Sequence, residues 1–160
     1  MNDERIDFDK LSGYEWSELL IKHPEFGDRC PWEKLDGRDW GYLLENQPQF
    51  ADKCFWEKLE SYDWELLLES QPQFADRCPW ERLFPEDLVP LLEAQPQLAN
   101  DNCPWQKLAG IDWAHLLSEQ PQFANRCAWE KLDNEDWQYL LARQPQFAAH
   151  CPPEELITGS

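Results

Sequence analysis

Six cysteines recur at an almost constant interval along this chain of 160 residues, and their spacing is the strongest constraint on its fold. They stand 24, 24, 25, 24 and 24 residues apart, at Cys30, Cys54, Cys78, Cys103, Cys127 and Cys151. A pattern that repeats every 20–50 residues or so indicates stacked units, each too small to bury its own apolar face. The chain is therefore expected to fold as an array of copies packed against their neighbours.

Every copy carries further residues at fixed places besides the cysteine. The shared pattern is W-x-x-L-L-x-x-Q-P-Q-F-A-D-x-C-x-W-x-x-L-x-x-x-D. The first tryptophan position holds Trp16, Trp40, Trp64, Leu88, Trp113 and Trp137, and the second holds Trp32, Trp56, Trp80, Trp105 and Trp129. Because both positions recur together with the leucine pair, we interpret these rings as core. We predict a single repeat domain over 1–160, with repeats at 16–151 and degenerate caps at 1–15 and 152–160.

The segment around the first tryptophan position predicts a short amphipathic helix. In copy two, Trp40, Leu43 and Leu44 stand at i, i+3 and i+4, which places them on one helical face. Asp39 directly precedes this tryptophan, and an aspartate can accept a hydrogen bond from the free N–H groups of a first turn. We therefore expect the aspartates at this place to be helix N-caps: Asp39, Asp63, Asp87, Asp112 and Asp136.

A Gln-Pro pair follows most of these helices. In copy two, Pro48 disfavours helical geometry at Gln47 and so ends the first helix, and it can also open a second short helix that runs to Cys54. The W-E-K-L tetrad after the cysteine predicts one helical or 3₁₀ turn. β-Branched residues, which favour strands, are rare in this sequence. The predicted fold class is an all-α tandem-repeat solenoid of about six 24-residue units, made of short α and 3₁₀ helices.

Two resemblances to known repeats follow from these residues. The leucine pair and the following proline, Leu43-Leu44 and Pro48 in copy two, resemble the leucine-rich repeat variant family, an all-helical solenoid of short α and 3₁₀ pieces. The complete Trp/Gln-Pro-Gln-Phe/Cys unit of 24 residues resembles the tandem copies of bacterial proteins of uncharacterised function, over residues 6–156. The second resemblance implies a bacterial origin and a repeat scaffold, and it implies no particular activity.

The cysteines are predicted to be buried thiols rather than disulfides or metal ligands. Equivalent positions in adjacent helical layers lie about 10 Å apart, whereas a disulfide needs Cα atoms about 4.4–6.8 Å apart. The sequence has neither a C-x-x-C motif nor a histidine-rich cluster, which would be typical of a metal site. It also lacks G-x-S-x-G and a phosphate-binding glycine loop. We therefore expect no metal, no cofactor and no catalytic residue.

The chain carries a formal net charge of −18. Such a surface repels the phosphates of nucleic acids and membranes and attracts basic proteins. We expect a protein partner, with basic proteins favoured, and neither direct nucleic-acid binding nor membrane binding. The lysines and arginines of the repeat stand beside acidic positions, and we interpret them as a solvated, salt-bridged surface. No apolar run is long enough to span a membrane and no secretory signal is visible, so the predicted location is the cytoplasm.

Positions that differ between copies are the candidate binding surface, because solenoids bind partners along a continuous face. The second residue after the first tryptophan position varies strongly. At this place Tyr42, Leu66, His115 and Tyr139 are predicted to form one stripe along the solenoid. Tyrosine is favoured at interfaces because it adds contact area at little entropic cost. The alternative is that the stripe is partly buried between layers.

Copy four departs from the pattern. Leu88 and Leu98 replace Trp and Phe, and one residue is inserted near Asn100-Asp101-Asn102. Pro90 is expected to be tolerated within the first helical turn. The insertion should bulge the loop or bend the array, either as a partner-specific kink or as neutral drift.

The sequence as a whole predicts a non-enzymatic module that binds a protein through its variable face, steered by acidic charge. The alternative is an acidic inhibitor or immunity-type protein that covers a basic nucleic-acid-binding site, including an outright mimic of DNA. A third hypothesis is a structural spacer or assembly piece. The first two differ in salt response, because electrostatic capture weakens steeply with ionic strength and an aromatic interface does not.

Overall fold

The computed structural model describes residues 6–158, with side chains as far as Glu155. Within that range the chain is an all-α tandem-repeat solenoid, and the range contains no strand. The predicted fold class is therefore confirmed. Residues 1–5 and 159–160, which belong to the predicted caps, lie outside the described residues.

Each copy begins with an α-helix of ten residues, and a shorter helix follows the last copy. These are α1 (Gly13–Lys22), α2 (Gly37–Asn46), α3 (Ser61–Ser70), α4 (Pro85–Ala94), α5 (Gly110–Glu119), α6 (Asn134–Arg143) and α7 (Pro153–Thr158). As predicted, a proline ends each long helix and opens a second helical piece, here a 3₁₀ helix: Pro24–Arg29, Pro48–Lys53, Pro72–Arg77, Pro96–Leu98, Pro121–Arg126 and Pro145–His150. The tetrads form the predicted 3₁₀ turns at Trp32–Lys34, Trp56–Lys58, Trp80–Arg82, Trp105–Lys107 and Trp129–Lys131.

The described residues form two compact units, and the chain passes from the first to the second between Cys78 and Pro79. The first unit contains α1, α2 and α3, and α2 packs against both of its neighbours. The second unit contains α4 to α7, and there α5 packs against α4 and α6. In each unit a helix covers the apolar face of the preceding one, as stacked repeats require.

The α-helices start three residues before the predicted place. In α2 the N-cap is Asp36, whose Oδ1 accepts a 2.9 Å hydrogen bond from the Asp39 N–H. Asp39 Oδ2 in turn accepts from the Asp36 N–H at 3.0 Å, which completes a capping box. The prediction that Asp39 is the N-cap is therefore wrong, because it is the third residue of the helix. The same correction holds for Asp63, Asp87, Asp112 and Asp136.

The rings of the first tryptophan position form the centre of the core, as predicted. At most 1% of each is exposed in Trp16, Trp40, Trp64, Trp113 and Trp137. The rings of the second position stack on them with centroids 5.4–5.8 Å apart, in the pairs Trp32–Trp40, Trp56–Trp64, Trp105–Trp113 and Trp129–Trp137. In these four pairs the second ring is only half-buried. Arginines cover two of them: Arg77 lies 5.5 Å from the centroid of Trp56, and Arg126 lies 4.8 Å from that of Trp105.

The glutamines of the Gln-Pro-Gln motif join neighbouring copies. Gln71 Nε2 donates to the carbonyl oxygen of Glu45 at 2.8 Å, and Gln73 Nε2 donates to Gln71 Oε1 at 2.8 Å. The same bond between copies joins Gln47 to Ile21, Gln120 to Glu93 and Gln144 to Ser118. Each acceptor lies in the last turn of an α-helix, where carbonyls lack an intrahelical partner. One copy therefore closes the helix end of the copy before it.

The lysines of the W-E-K-L tetrads also bind the preceding copy. Lys58 Nζ donates to the carbonyl oxygens of Glu33 at 2.7 Å and Leu35 at 2.9 Å. Equivalent pairs of bonds are made by Lys34, Lys107 and Lys131. The interpretation of these lysines as salt-bridged to acidic neighbours is therefore wrong, because their ammonium groups bind backbone carbonyls of the preceding copy. They remain largely solvated.

Glycine at the first helical position permits this close approach. A Cβ atom at Gly37 would collide with the Lys58 carbonyl oxygen and would lie 2.6 Å from Asp63 Oδ2. Gly13 and Gly110 face equivalent groups of the copies that follow them. At these positions a larger residue would push apart the copies that the lysines hold together.

Copy four accommodates its irregular residues in different ways. Pro90 is the sixth residue of α4, so the prediction that it lies in the first turn is wrong. An interior proline removes a hydrogen bond to the carbonyl four residues earlier. The helix persists with Leu88, Leu91 and Leu92 completely buried.

The extra residue of copy four is absorbed by its loop. The 3₁₀ helix is shortened to Pro96–Leu98, and a turn follows it. Asn100 Oδ1 accepts a hydrogen bond from the Asn102 N–H at 2.7 Å, and the Asn100 carbonyl oxygen accepts from Trp105 Nε1 at 3.0 Å. The predicted bulge of the loop is confirmed.

Candidate functional site

The predicted site residues occupy the sixth position of their α-helices. Tyr42 on α2 and Leu66 on α3 are each 39% exposed. His115 on α5 is exposed, and Tyr139 on α6 is half-buried. The structure brings together Tyr42 with Leu66 in the first unit and His115 with Tyr139 in the second. That all four residues form one stripe stays a prediction.

Tyr42 and Leu66 line a cleft of about 530 Å³ on the first unit. Two further tyrosines complete its apolar lining: Tyr14, which is 54% exposed, and Tyr62, which is 53% exposed. The remaining lining residues are Arg38, Gly41, Glu45 and Asp63. Three helices therefore contribute to one concave surface that combines exposed aromatic rings with charge. We call it the tyrosine cleft.

Two of the rings in the tyrosine cleft support each other. Tyr14 on α1 and Tyr42 on α2 are stacked, with centroids 6.1 Å apart and planes inclined by 18°. The Tyr14 hydroxyl donates to Glu18 Oε1 at 2.9 Å, and this hydrogen bond raises the pKa of Tyr14. Rings held in this way lose less conformational entropy when a partner covers them.

Reasoning from the sequence missed Tyr14 and Tyr62. They stand at the second position of α1 and α3, four residues before the sixth position, and residues at i and i+4 share a helical face. The second position also varies strongly between copies: Tyr14, Arg38, Tyr62, Glu86, Ile111 and Glu135. A comparison of copies at this position carries the signal. The predicted N-cap at Asp39 concealed this signal, because it leaves the second position outside the helix.

Gly41 is the part of the lining that has no side chain. A Cβ atom there would meet only the Asp63 carbonyl oxygen at 3.8 Å and Asp63 Cβ at 4.0 Å, which are ordinary contacts. The other copies carry side chains at this position: Ser17, Glu65, Val89, Ala114 and Gln138. Unlike Gly37, Gly41 is therefore not required by close packing. It costs α2 roughly 0.5–1 kcal/mol relative to alanine, and it leaves the cleft open.

The carboxylates of the tyrosine cleft are partly desolvated. Burial raises the pKa of Asp63, against the hydrogen bond from the Glu60 N–H and the positive charge of Arg38. Burial also raises the pKa of Glu45, and the nearby carboxylate of Glu69 raises it further. A positive charge placed in the cleft would relieve this cost, because it favours the ionised carboxylates.

The second unit presents a smaller aromatic group on α5 and α6. The rings of His115 and Tyr139 have centroids 4.5 Å apart. The guanidinium carbon of Arg143 lies 3.6 Å from the centroid of the Tyr139 ring. Tyr139 and Tyr42 occupy the same position in their copies. The repeat thus already contains an arginine stacked on a tyrosine at this place.

The cysteines are poor candidates for nucleophilic chemistry. All six are reduced cysteines, outside any disulfide; four are buried, as predicted, and Cys54 and Cys127 are half-buried. Burial, and secondarily a neighbouring glutamate, raises the pKa of Cys30, Cys54 and Cys127 to about 12. These thiols are therefore protonated at neutral pH, whereas the thiolate is the reactive form.

Residues 6–158 offer neither a metal site nor a membrane-spanning helix. Nowhere in that range do three or more His, Cys, Asp or Glu side chains gather in a way that suits a metal ion. The helices of the same range are all too short or too polar to cross a bilayer. Comparison of the chain with protein-family models, curated proteins and solved structures finds no match.

Proposed function

We propose that this chain is a non-enzymatic protein-binding module whose partner docks on the variable face of α1, α2 and α3 in the first unit, with the tyrosine cleft as the contact. The observation that carries the proposal is the cleft itself, in which Tyr14, Tyr42, Tyr62 and Leu66 are each 39–54% exposed. Tyrosines at protein surfaces are frequent anchors of interfaces, because one rigid ring buries a large area on binding.

The residues that recur between copies support this proposal by exclusion. Gln71 and Lys58 bind carbonyl groups of the preceding copy, Asp39 closes a capping box, and Gly37 permits close packing. These roles explain why such residues repeat. Apart from Asp63, the residues that line the cleft stand at helix positions that vary between copies: the second, fifth, sixth and ninth.

The charge of the chain favours a basic partner. The net charge is −18, and the cleft itself carries Glu45 and Asp63 against a single Arg38. Opposite charge accelerates the encounter of two proteins and orients them as they meet. The partner proposed is therefore a basic protein that presents apolar or aromatic groups to the cleft.

The proposal is tested by affinity capture from the native host with three folded baits. The wild-type chain and Ile111→Ala are expected to retain the same basic protein, and Tyr42→Ala is expected to lose it. Ile111 is a matched control because it is 57% exposed and stands at the second position of α5, outside the cleft. Urea unfolding should show that all three baits are folded during capture, with Tyr42→Ala less stable by about 0.5–1.5 kcal/mol, the range for a lost aromatic pair. An identical set of captured proteins on all baits, or no captured protein, would contradict the proposal.

A second candidate is an acidic inhibitor that covers the nucleic-acid-binding site of a basic protein. The large acidic surplus favours it. Salt separates the two candidates, because exposed charges farther apart than about 8 Å are largely screened at physiological ionic strength. Retention that survives a salt wash and depends on Tyr42 supports the cleft. Retention that is lost in salt and is indifferent to Tyr42→Ala supports the inhibitor.

A further inference from the structure

Copy two is shaped differently from the other copies at the point where its helix borders the tyrosine cleft. It alone has a glycine at the fifth helical position, and the space above Gly41 would admit a side chain with ordinary contacts. A glycine within a helix is unfavourable, and packing does not require this one. The open space is therefore the feature that this residue contributes.

The walls of that space suit a cation. Tyr42 and Tyr62 present aromatic rings, whose faces attract positive groups. Glu45 adds a carboxylate. Asp63 borders the space with its Cβ and backbone oxygen, and its carboxylate lies deeper, beside Gly37. The two negative charges exceed the single positive charge of Arg38, so the lining keeps a net negative charge. Asp63 also accepts a hydrogen bond from the Glu60 N–H, which holds its carboxylate in place at 2.9 Å.

Copy six shows which cation fits a tyrosine at this place. There the guanidinium of Arg143 lies over the ring of Tyr139, four residues earlier on the same helix. In copy two the position of Arg143 is taken by Asn46, whose Nδ2 donates to the Tyr42 carbonyl oxygen at 2.9 Å. Helix α2 therefore gives Tyr42 no counterpart of Arg143.

We infer that the space above Gly41 receives an arginine side chain from a basic segment of the partner protein, stacked between the tyrosine rings and paired with the carboxylate of Glu45. This inference deepens the proposed function and rests on it. Arginine is favoured over lysine because its planar guanidinium stacks on rings and is more weakly hydrated than an ammonium group.

The test uses the full chain and a short labelled peptide with a single arginine among neutral residues, followed by fluorescence anisotropy at about 0.15 M salt, where diffuse attraction is screened. The matched peptide carries citrulline, which has nearly the same shape as arginine and no charge. The arginine peptide should bind the wild-type chain about tenfold more tightly than the citrulline peptide, which is the scale of a desolvated cation–π contact.

Two variants locate the binding on the cleft, and one serves as control. Gly41→Val fills the space with the residue that copy four carries as Val89, and it should weaken binding of the arginine peptide about tenfold. Tyr62→Ala should weaken binding of the arginine peptide by a similar factor. If Gly41→Val does not fold, the result of Tyr62→Ala decides the test. Ile111→Ala should bind as the wild-type chain does.

Several outcomes would overturn the inference: equal binding of the arginine and citrulline peptides, no measurable binding of either, or equal binding by wild type and both folded cleft variants. Tighter binding of a phosphorylated peptide than of the arginine peptide would also overturn the inference, because it would show that Arg38 sets the preference of the cleft. If Tyr42→Ala abolishes capture of the partner while the arginine peptide shows no preferential binding to the wild-type chain, the inference about arginine is contradicted and the proposed function is supported. If capture of the partner is also unchanged by Tyr42→Ala, the inference and the proposed function are both contradicted.

Discussion

The side-chain amide of Gln71 donates a 2.8 Å hydrogen bond to the carbonyl oxygen of Glu45, which belongs to the preceding copy. The acceptor is one of the carbonyls that a helix cannot satisfy internally at its C-terminal end. The bond therefore completes α2 with a group from outside it. Because Gln73 holds the same amide through its oxygen, the donor points toward the helix end.

Replacing Gln71 by alanine should destabilise the first unit by about 1–2 kcal/mol, because a half-buried carbonyl loses its donor. Urea unfolding followed by tryptophan fluorescence measures the change. Gln73→Ala is the control, since it removes only the exposed supporting bond and should cost clearly less. Equal unfolding midpoints for Gln71→Ala and the wild-type chain would show that the bond contributes nothing.

Two glycines of α2 should respond to alanine with opposite signs. Gly37→Ala should destabilise the chain by about 1–3 kcal/mol, because its Cβ atom collides with the Lys58 carbonyl oxygen. Gly41→Ala should stabilise the chain by up to about 1 kcal/mol, because its Cβ atom makes ordinary contacts and alanine favours the helix. The two thermal unfolding curves should lie on either side of the wild-type curve. Curves shifted in the same direction would refute this account.

The bonds of the tetrad lysines predict a large difference in stability between two substitutions that each remove one positive charge. Lys58→Met removes the donor to two carbonyl oxygens of the preceding copy and should cost about 1.5–3 kcal/mol, the range for hydrogen bonds of charged groups. Lys53→Met removes the same charge from an exposed side chain and should change stability by less than about 0.5 kcal/mol. Chemical denaturation of the two variants measures both. Similar losses in both would mean that net charge, and not these bonds, sets the effect.

Stability should rise as the pH is lowered from 7 toward about 4. Burial raises the pKa values of Asp39, Asp63 and Asp136 in the folded chain above those of the unfolded chain. The folded state therefore binds more protons, and stability increases as the pH falls through the raised pKa values until the unfolded carboxyls are also protonated, near about 4. Lower net charge acts in the same direction.

The variant Asp63→Asn isolates this pH effect at one site. The asparagine side-chain oxygen can still accept from the Glu60 N–H, and it does not titrate. The urea midpoint of the variant should therefore rise less between pH 7 and about pH 4 than that of the wild-type chain. An unchanged pH dependence would show that Asp63 titrates in the folded chain as it does in the unfolded one.

Replacing the interior proline of copy four should increase the stability of the chain. Pro90→Ala restores an N–H to the middle of α4, which should stabilise the helix by up to about 3 kcal/mol. Calorimetry should record a higher melting temperature for the variant. Pro85→Ala is the control, because proline at the first helical position costs little and its replacement should have a small effect. A lower melting temperature for Pro90→Ala would mean that the packing of the proline ring stabilises the chain by more than its missing N–H destabilises α4.

The sequence predicted the helices well, but it did not predict the bonds that join one copy to the next. Trp40, Leu43 and Leu44 predicted a buried helical face, and the structure buries all three completely. The same reasoning placed the start of α2 three residues late, because an aspartate suits both an N-cap and the third position of a capping box. That shift in turn removed Tyr14 and Tyr62 from consideration.

Residue order alone decided the 24-residue period, the helix ends at proline and the all-α class. These depend on local sterics and on the spacing of apolar residues, which are readable within one copy. Only the tertiary structure decided that Lys58 binds carbonyl groups, that Gln71 closes α2, and that Tyr14, Tyr42 and Tyr62 from three helices surround the space left by Gly41. The reason is physical: each of these relations joins atoms on different copies, and their distances follow from how the copies pack.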